Sequence, residues 1–153
     1  MLFPLIELDP ETINIILKSA FKSTEVNAFL LAPSSHTDLP KFESGKLHQG
    51  NEPPIPSHYK SHWLGKKIDD VAEWMRNVPE DRDVDHHFFA VLDKSAKEGK
   101  VVICRIGGRD LKDVGDVDWM RFDAQDAALK LRTAEPGEWE REKERKGDDK
   151  IEY

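Results

Sequence analysis

Two histidines four residues apart, in the run His58-Tyr59-Lys60-Ser61-His62, form the first arrangement that invites chemistry. On a helix such a pair shares a face, which is the spacing of paired zinc ligands. Tyr59 stands where the metalloprotease pattern has glutamate, and Pro56 offers only a helix start, so solvated loop histidines are the competing reading. A second group, Asp83, Asp85, His86 and His87, gathers potential ligands and acid–base groups just before an apolar run. Consecutive residues of an extended chain point to opposite sides, so this pattern is no metal signature, and a charged turn competes with it. His86 or His87 is the acid–base candidate if the chain is an enzyme.

The third arrangement is an anion platform. Alternation puts Val101, Ile103 and Arg105 on one side of a strand, and Trp119 and Arg121 on one side of the next. If those sides coincide, Arg105, Trp119 and Arg121 present two guanidinium forks over an aromatic floor, suited to a carboxylate or phosphate. The alternative is two arginines reaching into water from an exposed sheet face. Cys104 alternates with Arg105 and reads as a small packed thiol. Gly107-Gly108-Arg109-Asp110 offers a backbone nest for an anion but lacks dinucleotide or phosphate-loop spacing. With no cofactor fingerprint in the sequence, no cofactor is expected, and no metal beyond the His58 and His62 candidates.

Composition narrows the field. The chain has 153 residues, enough for one domain to bury a core without disulfides or a structural metal. Cys104 is the single cysteine, which fits a reducing compartment. Acidic residues outnumber basic ones 30 to 23, a formal net charge of −7, which argues against nucleic acid as a partner. A small basic excess occurs only between Pro33 and Lys67, alongside His36, His48, His58 and His62. No apolar run approaches the roughly 20 residues that span a bilayer. The opening residues lack a secretory pattern, so the cytoplasm or nucleus is the expected location and no membrane is involved.

The elements that must position these groups come next. Asp9 reads as an N-cap with Pro10 at the first helical position, and Ile13, Ile16, Leu17, Ala20 and Phe21 make an apolar stripe. Val26 to Ala32 reads as an interior strand ended by Pro33. Residues 33–66 lose all periodicity, and an insertion that long in a compact domain is usually functional or disordered. Tyr59, Trp63 and Leu64 imply that its end docks on the core. Ile68, Val71, Ala72, Met75 and Val78 share one face of a second helix, with Trp74 at its edge and Pro79 after it.

Phe88 to Leu92, Val101 to Ile106 and Val117 to Phe122 read as three strands, the first two joined tightly enough to be antiparallel. Asp123 then caps a helix with an inner face of Ala124, Ala127, Ala128 and Leu131. The predicted class is therefore α/β of the α+β type. It has a mixed, mostly antiparallel sheet of about four strands, with helices packed on it and a long irregular insertion. Residues 1–135 form the domain, and 136–153 a charged segment, a solvated helix that then frays, with Trp139 its only large apolar residue before Gly147.

Phe89 to Cys104, with Met120 to Leu129, resembles small uncharacterised fungal proteins of unknown function. The likeness covers about a third of the chain and implies no site. Two function classes follow from the residues themselves. One is a binding or interaction module recognising a protein or an anionic small molecule through the insertion and the sheet face. The other is a small cofactor-free enzyme, an isomerase or cyclase, with 33–66 as a lid, His86 or His87 as acid–base and Arg105 and Arg121 as clamps.

Overall fold

The first helix forms where its cap predicts it. The Asp9 carboxylate accepts the Thr12 N–H at 2.8 Å, Pro10 opens helix α1 (Pro10–Ala20), and Ile13, Ile16, Leu17 and Ala20 are buried. The computed structural model describes residues 1–22, 27–46, 49–107, 117–133, 136–147 and 150–153. Its strands are β1 (Leu2–Pro4), β2 (Phe88–Leu92), β3 (Lys100–Ile106) and β4 (Val117–Asp123), and its other helices are α2 (Ile68–Arg76), α3 (Ala124–Thr133) and α4 (Pro136–Lys146).

The strands form one sheet in the order β1-β2-β3-β4. β1 runs parallel to β2, and the other two pairings are antiparallel, so the sheet is mixed and mostly antiparallel, as predicted. One face carries Leu2, Phe88, Ala90, Ile103, Met120 and Phe122 beneath α1 and α3. The other carries Phe3, Phe89, Val91, Val102 and Cys104 beneath α2 and Trp63. Ala124, Ala127 and Ala128 are buried, and their small size lets α3 lie close on α1.

One predicted strand is replaced. Val26 lies outside the described residues, and 27–32 touches the sheet through a single parallel bridge, Leu31 to Leu2. The reason is local competition: asparagine side chains take the N–H groups a ladder would use. The Asn27 carbonyl oxygen accepts from Phe29 N–H and the Asn51 one from Leu31 N–H. The fourth strand is instead β1, whose three residues are too few to show a period.

From Gly50 onward the insertion is tied to the body. Gly50 N–H donates to the Asn27 carbonyl, Asn51 N–H to that of Phe29 and Gly65 N–H to that of Leu5. The Asn14 side chain on α1 accepts from Ile55 N–H at 2.8 Å, and the Ser61 hydroxyl donates to the Pro4 carbonyl. Trp63 and Leu39 are buried, Tyr59 packs against the core and Leu64 is exposed. A Cβ at Gly50 would lie 2.2 Å from the Phe29 carbonyl oxygen, so backbone would have to move. Gly50→Ala is expected to cost about 1–3 kcal/mol, seen as a lower urea midpoint with an unchanged slope. An unchanged midpoint would mean that 49–51 does not pack on 27–29.

The charged segment after residue 135 is helical, as expected, and largely exposed, but one side of it is docked on the body. Trp139 is completely buried, packed on Phe88 at 5.6 Å between ring centroids. The Lys143 and Lys146 ammonium groups donate to the outward carbonyls of Trp119 and Arg121, covering an edge that would otherwise be open to pairing. Glu140 pairs with Arg105, Lys143 with Asp118 and Glu142 with Lys130. Like-charge spacing along α4 hid this, because its partners lie on other elements. Beyond it, Glu152 N–H donates to Asp93, and the Tyr153 hydroxyl accepts Ile68 N–H at the start of α2.

Candidate functional site

The anion platform is not assembled. Arg105 lies opposite Asp118 in the register, and Arg121 opposite Val102, so the two guanidinium groups leave the sheet on opposite faces. Trp119, opposite Cys104, shares the Arg121 face. Arg105 is 2% exposed, donates to Glu140 at 2.7 Å and has its guanidinium carbon 5.3 Å from the Trp139 ring centroid. Its Nε and Nη1 have no hydrogen-bond partner. It is a core group under α4, not a solvent-facing clamp.

Arg121 is equally engaged. Its Nη2 donates to Asp93 at 2.7 Å and to the Lys150 carbonyl at 2.7 Å, and its Nε to the Ser95 hydroxyl at 2.9 Å. Burial pushes the Asp93 carboxyl up. Hydrogen bonds from Ser95, the Glu152 N–H and Arg121, with the Arg121 charge, outweigh it and hold the group below its ordinary value. This network ties the start of the β2–β3 connection to β4 and to residues 150–152.

The histidine candidates separate. The Asp85 carboxylate accepts the N–H groups of His87 and Phe88, a turn that launches β2, with His86 half-buried and His87 exposed. His58 and His62 lie in a stretch without helix, so the helical spacing argument does not apply. His58 lines a groove of about 450 Å³ with Glu7, Asp9 and Tyr59, whereas His62 lines a different cleft. Among the described residues, no group of three or more His, Cys, Asp or Glu side chains is placed to hold a metal ion. Cys104 is buried, and desolvation pushes its thiol well above its ordinary value, which fits packing. Of the proposed nest, Gly108, Arg109 and Asp110 lie outside the described residues, as does His48.

What the fold does bring together is a cleft of about 500 Å³ between the insertion and α2. The insertion supplies Ser34, His36, His62, Trp63 and Lys66, and α2 supplies Asp70, Glu73 and Trp74, with Asn77 just beyond it. Its aromatic wall is built on the core. Phe3 of β1 meets Trp63 at 4.9 Å and Trp74 at 5.7 Å, both edge-on, and the two indoles cross at 77° with centroids 5.2 Å apart. Trp63 is the buried floor, its Nε1–H donating to the Ala32 carbonyl at 3.3 Å. Trp74 is the half-exposed wall.

His36 closes the wall from the insertion side. Its ring lies 4.2 Å from that of Trp74, and its Nε2 is 3.1 Å from the Trp74 carbonyl oxygen. A carbonyl only accepts, so Nε2 carries the hydrogen. Asp70 accepts Lys67 N–H at 2.8 Å, and Asn77 donates to the Glu73 carbonyl, fixing both ends of α2. The cleft therefore joins a rigid aromatic surface to carboxylates, imidazoles and one ammonium group. His36, Glu73 and Trp74 were not read as site residues. The one signal was Trp74, a large aromatic at the edge of its helix's apolar stripe.

A comparison of the chain with protein-family models, curated protein sequences and solved structures finds no match in any of the three.

Proposed function

We propose that this chain is a binding module and that it recognises its ligand in the cleft between the insertion and α2, not on the sheet face that bears Arg121. The observation that carries this reading is the Trp63–Trp74–His36 wall, held on Phe3 by edge-on contacts and lining about 500 Å³ of open space. Small-molecule sites typically occupy about 300–1,000 Å³, with apolar walls and a few fixed polar groups, and this cleft has both. Preformed rings bind without the entropy cost of ordering long side chains.

The enzyme reading has less support. Its two arginine clamps are engaged with Glu140 and Asp93, and the stretch cast as its lid is bonded to α1, β1 and the 27–32 stretch. A ligand-observed NMR fragment screen tests the proposal by comparing the parent chain with Trp74→Ala. Trp side chains at the centre of a binding site typically contribute 2 kcal/mol or more, so hits should weaken about 30-fold in the variant while its fold, read from backbone amide spectra, persists. Hits that bind both proteins equally would place recognition elsewhere and overturn this reading.

A further inference from the structure

Resting on that reading of the cleft, we propose that its ligand group is an organic cation, an alkylammonium that sits against Trp74. The two indoles meet edge to face at 77° and Trp63 is buried, so the half-exposed ring of Trp74 is the π surface a cation meets in the cleft. Asp70 and Glu73 put two carboxylates on the α2 wall against the single ammonium of Lys66.

The polar atoms agree with this balance. The Nε2–H of His36 is engaged by the Trp74 carbonyl. The Trp63 indole N–H is engaged by the Ala32 carbonyl, and an Asn77 amide N–H by the Glu73 carbonyl. These three donors are turned into the scaffold, and the charged groups lining the cleft are the Asp70 and Glu73 carboxylates and the Lys66 ammonium. Such a lining suits a ligand that is positive. Either a free amine or a methylated lysine of another protein has this chemistry.

Three matched probes test the class on the full chain: choline, its neutral isostere 3,3-dimethyl-1-butanol and the anion 3,3-dimethylbutanoate. Affinities come from calorimetry, and location from the indole N–H signals of Trp63 and Trp74. Choline should bind about tenfold more tightly than the alcohol, in line with a desolvated cation–π contact, and the carboxylate should leave both indole signals unmoved. Glu73→Gln, an exposed change, should weaken choline several-fold and leave the alcohol as it was. An N-acetyl trimethyllysine methylamide arm assigns the source: binding tighter than choline marks a protein side chain, and weaker binding a free amine. If the alcohol or the carboxylate matches or exceeds choline at the two indoles, the cation class is wrong and the site stands. If no probe moves either indole signal, the class and the site reading fall together.

Discussion

Asp93→Asn is expected to lower stability by about 3–5 kcal/mol at neutral pH, the usual result of removing one partner from a buried ion pair. Asp93 is 1% exposed, and its carboxylate accepts from Ser95, Arg121 and Glu152. An amide there keeps the shape but offers one acceptor oxygen where there were two, and it turns an N–H toward donors. The half-buried Arg121 guanidinium then loses its 2.7 Å contact with a charged carboxylate. Residues 150–153 lose an anchor as well, since Lys94 N–H donates to the Glu152 carbonyl next to the same carboxylate.

The pH dependence follows from the direction of the shift. The folded-state value of Asp93 lies below its ordinary 3.8, so its contribution is fully present above that value and is lost as pH falls through the depressed one. Urea unfolding at pH 7 and pH 3 should therefore show a large difference between parent and variant that shrinks on acidification. A difference under about 1 kcal/mol at pH 7, the scale of an exposed pair, would mean that the Asp93–Arg121 pair does not organise the sheet edge as described.

Trp139→Ala is expected to cost about 3–5 kcal/mol, the range for deleting a large buried aromatic. Trp139 touches Phe88, donates its indole N–H to Asp118 at 2.9 Å and lies against the Arg105 guanidinium. Its loss opens a cavity and uncovers an arginine whose Nε and Nη1 have no partner. A tryptophan on a solvated helix would change stability by less than about 0.5 kcal/mol, so the urea midpoint separates the two descriptions. Trp139→Phe should fall between, restoring the packing on Phe88 without the hydrogen bond to Asp118.

Where local chemistry decides structure, the sequence was legible. Asp9 with Pro10 fixes the start of α1, the stripe from Ile68 to Met75 fixes the buried face of α2, and the apolar runs at Phe88 and Val101 fix the central strands. Relations between elements were not legible. Alternation tells which residues share a side within β3 or within β4, but a shift of one residue between strands exchanges the sides, and that shift separates Arg105 from Trp119 and Arg121. The docking of α4 was not legible because its charges are balanced by Arg105, Asp118 and Lys130 on other elements. The cleft was invisible for the same reason: His36, His62 and Trp74 meet only after the insertion folds back over β1.

The central claim is that this cleft is the recognition site, and a crystal structure of the chain with its tightest-binding fragment tests it most directly. The account predicts ligand density against the Trp74 ring, bounded by His36, Glu73 and Lys66, with the aromatic wall in place. Density on the face that carries Trp119 and Arg121, or in the groove beside His58, with the Trp63–Trp74 corner empty, would contradict it.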